Sequence, residues 1–167
     1  MAYIALFAAL LVICTWIAIP TRPPFTMQTF AVFAAALTLG RRGTLAVAVY
    51  LTLGALGVPV FSGFGGGIGH LAGITGGYAI GFLPAAYIAG WAAERSRGVL
   101  GRTLGCAAGL LVCYAFGTAW YAWGYARGTA GVGAALATCV APFLLPDAAK
   151  IALALLLSKR LRREKER

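Results

Sequence analysis

Asp147 is the residue of this chain best placed to do chemistry, and Lys150 stands three positions after it. Only four acids occur among the 167 residues, and Glu94, Glu164 and Glu166 fall in charged stretches that read as solvated turn and tail. Asp147 instead lies between Pro146 and an apolar run with helical character. Residues three apart share a helix face, so the carboxylate and the ammonium project together. A charge deep in an apolar span costs on the order of 2.5–3.5 kcal/mol on insertion scales, and such residues usually face a cavity or a partner. Two uses of the pair stay open. One is mutual neutralisation, with the lysine stem reaching outward. The other is contact with a polar ligand, Lys150 meeting an anionic group and Asp147 meeting N–H donors. The two are compatible if the pair is preformed and a ligand opens it.

The remaining polar groups have narrower options. His70, the single histidine, is a candidate ligand or proton relay, although a lone histidine without a nearby acid ordinarily serves as a hydrogen-bonded loop residue. Thr26 follows a proline-rich segment and suits a helix N-cap. Gln28 has no local task and is available to a site. Tyr78 opens a span, where it either anchors at the interface or walls the site. Cys14, Cys106, Cys113 and Cys139 all lie in apolar runs without a CxxC pair, which gives little support to a zinc site or a disulfide framework. Cys106 and Cys113, seven apart, share a helix face and are expected simply to pack there.

Several chemistries are excluded by what the chain lacks. No lysine follows a glycine, so there is no phosphate-binding loop for ATP hydrolysis. The run Gly63–Gly69 fails GxGxxG in every register, and no βαβ unit surrounds it. Neither a Ser–His–Asp set nor HExxH occurs. No nucleophile–base pair can be assembled, so a membrane enzyme is disfavoured, and neither cofactor nor metal is expected.

The stretch from Leu53 to Phe82 organises the rest. It holds eleven of the 23 glycines, with Leu, Val, Phe, Ile and Tyr recurring between them, so it is neither a plain helix nor a polar linker. Gly-rich irregular backbone beside apolar spans is tolerated where it is buried in protein or lines a cavity. A loop folded over a ligand site at a membrane boundary is the preferred reading; a connector that packs two helices closely is the plainer one.

Composition fixes the solvent. Hydrophobic residues make up 61% and charged residues 11% of the chain, against about 45–50% apolar in soluble domains. The expected fold is all-α, a single polytopic unit over residues 1–167 with six membrane spans and a basic tail at 159–167. The first span covers about Ala2 to Ile19, stopped by Pro20, Pro23 and Pro24. It lacks a basic region ahead of it and reads as a retained helix, not a signal peptide. The next spans run from Thr26 to Gly40, Thr44 to Leu56, Tyr78 to Glu94 and Gly101 to Arg127. The sixth begins at Pro142 or Pro146 and ends at Ser158. Tyr114, Trp120, Tyr121, Trp123 and Tyr125 cluster toward the end of the fifth span as interface aromatics do. The net charge of +10 is a matter of topology rather than nucleic acid, because basic residues sit at segment ends. With the N-terminus inside, Arg41, Arg42, Arg95, Arg97, Arg102 and six tail residues lie in the cytoplasm, and only Arg22 and Arg127 outside. Both termini are therefore expected in the cytoplasm of a multi-pass protein of the cell (inner) membrane. The Gly-rich loop and the start of the sixth helix then converge on the outer face. Ala5 and Ala9 form a small-xxx-small pair, which lets another helix approach.

Taken together, these segments resemble the BioY family, the biotin-specific S components of energy-coupling factor transporters. The resemblance rests on Pro24-Phe25-Thr26-Met27-Gln28, on the run from Tyr50 to Phe61, on Gly73 to Tyr78 with Gly81-Phe82, and on Pro142-Phe143 with Pro146 to Lys150. They come in the family's order and spacing across the whole chain, with Ile74 where proline is usual. The resemblance implies six helices with both ends inside and biotin capture outside. It implies a substrate site formed by Thr26, Gln28, Phe61, Thr75, Gly76, Tyr78, Asp147 and Lys150. It implies Ala5 and Ala9 as the contact with the membrane coupling subunit (T component), and two ABC-type ATPase subunits as separate chains. Self-association stays open. Biotin suits the residues: a ureido ring with N–H donors and one acceptor, an apolar bicycle and a carboxylate tail. The competing function is a self-sufficient secondary carrier or channel for a small organic anion, which would want more intramembrane acids than Asp147.

Overall fold

The computed structural model of the chain describes residues 1–19, 24–96, 98–125 and 129–165, with only the backbone of 129, 130 and 162–165. Pro20, Arg22, Pro23, Arg97, Arg127, Glu166 and Arg167, which entered the span and charge assignments, lie outside the described residues. The chain is mostly helical. Helix α1 (Ala2–Trp16) is followed by two short paired strands, β1 (Ala18–Ile19) and β2 (Phe25–Thr26). Then come α2 (Gln28–Leu39), α3 (Gly43–Ala55), a short α4 (Ile68–Leu71), α5 (Gly76–Arg95), α6 (Val99–Gly124), α7 (Thr129–Ala135) and α8 (Leu144–Lys165). Among the described residues, three helical stretches, Gln28–Ala55 (which includes the turn Gly40–Arg42), Val99–Gly124 and Gly131–Leu161, are long and apolar enough to cross a membrane, and Ala2–Trp16 is a shorter apolar helix. The apolar exterior and these lengths make it an integral membrane protein.

Helix α2 is the hub. It packs against α1, α3, α5 and α8, and Val32, Ala34, Ala35 and Ala36 are wholly buried. The 3₁₀ turn Gly40–Arg42 reverses the chain into α3, with Gly40 at φ +64°. Side chains are excluded there by close backbone approach: a Cβ on Gly43 would meet the Ala35 carbonyl at 2.6 Å. Glu94 ties this turn to the end of α5, accepting the Arg41 backbone N–H at 2.9 Å and the Arg41 guanidinium at 2.7 Å. The pair is exposed, as expected of a solvated turn.

Helices α5 and α6 make the most extensive contact in the molecule. Gly77, Gly81, Ala85 and Ala89 recur every fourth residue on α5, and Gly105, Gly109, Cys113 and Gly117 do so on α6. The two rows run against each other, with Gly81 beside Cys113 and Gly109 beside the Ala85 carbonyl. Small side chains let the backbones close, as membrane helix pairs require. Cys106 and Cys113 are both buried in the core, and Cys113 Sγ also donates across the seam to the Tyr78 carbonyl at 3.4 Å.

Element boundaries differ from the sequence reading at the first, second and last helices. The first helix ends at Trp16, because Ala18 and Ile19 leave it to pair with Thr26 and Phe25. That pairing removes Thr26 from the N-cap: α2 starts at Gln28, and Thr26 Oγ1 accepts the Gln28 N–H at 3.4 Å from the strand. The last helix runs past Ser158 to Lys165, since Ser158 Oγ donates to the Leu155 carbonyl within the helix and Leu161 still packs on the core. Its regular start lies at Leu144, preceded by a π turn at Leu136–Val140 and a 3₁₀ turn at Ala141–Phe143. Pro142 offers no N–H to the carbonyl four residues earlier, which accounts for the irregular backbone there. Pro146 falls in the first turn of α8, where no partner is missed.

The α5–α6 seam generates a stability test. Gly109→Val is expected to lower the unfolding free energy by about 1–3 kcal/mol through overpacking, read as a lower melting temperature in detergent. Gly133→Ala, where an added Cβ meets nothing within 4 Å, should leave it unchanged or slightly raised. Equal melting of the two variants would refute the seam.

Candidate functional site

A cavity opens where the start of α2, the end of α3, the Gly-rich segment, and the starts of α5 and α8 meet. The space inside the cavity and its open mouth, solvent included, comes to about 840 Å³. Arg41, Arg42, Arg95 and Arg102 gather around the turns at the other end of these helices, where Arg102 donates to the Ser96 carbonyl.

Asp147 lies in the first turn of α8, where the helix N-terminus favours negative charge. Lys150 Nζ donates to Asp147 Oδ1 at 2.7 Å, and Tyr114 from α6 donates to Asp147 Oδ2 at 2.6 Å. Asp147 and Lys150 are each 3% exposed, so the lysine does not reach outward to solvent. Its ammonium sits 4.1 Å from the centre of the Phe25 ring, and Phe25 stacks on Phe143 at 5.7 Å. The site thus holds a buried pair that is neutral as a unit, hydrogen-bonded on both carboxylate oxygens and walled by aromatics.

The Gly-rich segment supplies the opposite wall. Phe61 stacks on His70 at 4.9 Å and meets Tyr50 edge-on at 5.5 Å. Two glycines make room for these rings: a Cβ on Gly54 would fall 2.0 Å from Phe61, and one on Gly65 would fall 2.5 Å from His70. The loop is held from both sides. Trp16 of α1 donates to the Pro59 carbonyl at 3.1 Å and its ring lies against Phe64. Trp120 of α6 donates to the Gly73 carbonyl at 3.1 Å, and Tyr125 donates to the Ala72 carbonyl. Aromatics read in the sequence as interface anchors therefore clasp the loop as well.

Every residue expected to contact substrate lines this one cavity. Thr26 and Gln28 come from β2 and the start of α2, Phe61 and Thr75 from the Gly-rich segment, Gly76 and Tyr78 from α5, and Asp147 and Lys150 from α8. Gln28 Nε2 donates to the Tyr50 hydroxyl at 3.0 Å. Tyr78 lies 3.5 Å, hydroxyl to hydroxyl, from Thr118. Ala5 and Ala9 are absent from the cavity and exposed on α1. His70, for which a place in the site was the lesser alternative to a hydrogen-bonded loop residue, is part of the wall. Tyr114, read in the sequence among the interface aromatics, instead faces the cavity and Asp147, and Cys113 and Cys139, read as residues of apolar runs, line it too. A phenol in the middle of an apolar span is the one signal that marks Tyr114 in advance. Among the described residues, no three His, Cys, Asp or Glu side chains gather as a metal site.

The BioY family model matches residues 1–167. A biotin transporter BioY from Thermotoga maritima is 47% identical over 114 residues, covering 67% of this chain and 68% of that protein. A probable biotin transporter BioY from Pyrococcus horikoshii is 42% identical over 160 residues, covering 95% and 93%. Among solved structures, the S-component for biotin from an ECF-type ABC transporter superposes with a TM-score of 0.84 at 24% identity, covering 97% of this chain and 89% of that one. That likeness shows the fold.

The buried pair has a stability signature. Lys150→Met leaves a buried carboxylate without its countercharge and is expected to cost about 3–5 kcal/mol. The double variant Asp147→Asn/Lys150→Met should recover most of that loss. Thermal unfolding of the ligand-free single and double variants checks this; additive losses would mean that the two charges are not coupled.

Proposed function

The chain belongs to the BioY family, and on that premise we propose that it is the membrane-embedded capture subunit of a biotin importer. It binds biotin from outside and passes it inward in company with a membrane coupling subunit and two ABC-type ATPase subunits. The chain acts as one unit over residues 1–167, its basic end at 159–167 in the cytoplasm of a cell with this protein in its inner membrane. Six crossings, made by α1, α2, α3, α5, α6 and α8, leave both termini in the cytoplasm. The gathering of Arg41, Arg42, Arg95 and Arg102 at the end away from the cavity supports that orientation. The short α2 is enclosed by other helices, with Ala31 to Leu37 buried, so lipid thickness does not set its length.

The observation that carries the reading is the buried, neutral Asp147–Lys150 pair in an aromatic-walled cavity. A neutral pair suits a neutral ligand group that offers donors and an acceptor side by side. The ureido ring of biotin does so, with N–H groups for Asp147 and a carbonyl for Lys150. A carboxylate brought beside Asp147 would meet a like charge. The ureido end therefore sits at the pair and the bicycle against Phe61 and Tyr78, while the carboxylate tail points away from the pair. Thr26, Gln28, Thr75 and Gly76 complete the contact set. A self-sufficient carrier for a small organic anion has less support, since Asp147 is the one buried acid among the described residues.

Two measurements test this. Purified protein in detergent, without nucleotide or added ions, is expected to bind biotin by calorimetry. No heat and no thermal protection at tens of micromolar ligand would reject the reading. Lys150→Ala should weaken binding by roughly ten- to hundredfold, and equally for biotin and for biotin amidated at its tail. A loss confined to the free acid would move the tail to Lys150. Separately, Ala5→Leu with Ala9→Leu is expected to impair cellular uptake while leaving biotin affinity intact, because small residues matter where another helix docks. A matching fall in affinity would remove the partner role from α1.

A further inference from the structure

Asp147 has one partner on each oxygen: Lys150 on Oδ1 at 2.7 Å and Tyr114 on Oδ2 at 2.6 Å. Tyr114 comes from α6, is 7% exposed and lines the same cavity. A carboxylate held by one bond alone can rotate about its side-chain torsion, whereas one held at both oxygens presents a fixed edge. If a ligand donor takes the place of Lys150 at Oδ1, the Tyr114 bond is what remains to hold the acid in plane. Resting on the biotin reading above, we propose that Tyr114 is a positioning residue: it occupies Oδ2 and thereby turns Oδ1 toward the ligand's N–H. It touches the acid, and the acid reads the ligand. Selectivity for a cyclic urea over analogues lacking one donor then depends on a hydroxyl that donates nothing to the ligand itself.

The test is a discrimination ratio, not an affinity. Dissociation constants are measured by calorimetry for biotin and for the two isomers carrying a methyl group on one ureido nitrogen. Wild type is expected to reject the isomer methylated at the nitrogen facing Asp147. In Tyr114→Phe, biotin binding should weaken by about tenfold, as for a lost bond to a charged group, and that isomer should weaken much less, so the ratio collapses. In an Asp147→Asn background, Tyr114→Phe should change the ratio little further. A purely structural tyrosine would weaken all three ligands alike, and an unchanged ratio overturns the proposal. Failure of wild type to bind biotin would instead overturn the transport reading. Infrared difference spectra of wild type with the Tyr114 ring isotope-labelled need no variant. The C–O stretch should report donation to a carboxylate both before and after biotin is added, and a shift to a free hydroxyl on binding contradicts the proposal.

Discussion

Two opposite charges buried side by side among apolar helices constrain everything around them. Neither Asp147 nor Lys150 could be left alone at that depth, because an unpaired ion there loses several kcal/mol of solvation that nothing repays. Each is therefore surrounded: the acid by Lys150, Tyr114 and the N-terminal turn of α8, the ammonium by Asp147 and the Phe25 face. Meeting those demands brings β2, α6 and α8 to one place. A pair so satisfied is stable without ligand, yet it can exchange its internal bond for two bonds to a group with adjacent donor and acceptor.

The rest of the architecture builds the cavity around the pair. The four-residue repeat of small side chains on α5 and α6 closes these helices and brings Tyr78 and Tyr114 to the same wall. The Gly-rich segment then lays Phe61 and His70 across the opposite side, because glycines at 54 and 65 leave room for the rings. Trp16 and Trp120 hold that segment from α1 and α6 through carbonyl hydrogen bonds. Polar anchoring of an irregular loop is needed where its backbone borders lipid, since unpaired carbonyls there are costly.

Much of this is legible in one dimension. Asp147 stands out as a lone acid in an apolar run, Lys150 follows at helical spacing, and the glycine density from Leu53 to Phe82 marks backbone that must pass close to something. The resemblance to BioY proteins joined these pieces into one site. What stayed hidden depends on contacts between distant segments. Tyr114 becomes a partner of Asp147 only once α6 lies beside α8, 33 residues away in sequence. Ala18 and Ile19 look helical until Phe25 and Thr26 return to pair with them. The α5–α6 rows are each readable, but alanine and glycine are too common here for either row to stand out by itself. Lys159 and Arg160 read as tail because charge marks the membrane edge, and charge does not end a helix.

The central claim is that the buried pair is the part of the site that reads the ligand's urea. A structure of the protein with biotin bound tests it most directly. The expected result has the ureido ring in the cavity, one ring N–H within hydrogen-bonding distance of Asp147 Oδ1 and the ring carbonyl accepting from Lys150 Nζ. Biotin bound with its carboxylate at Lys150, or bound while neither charge contacts any ligand atom, would contradict it.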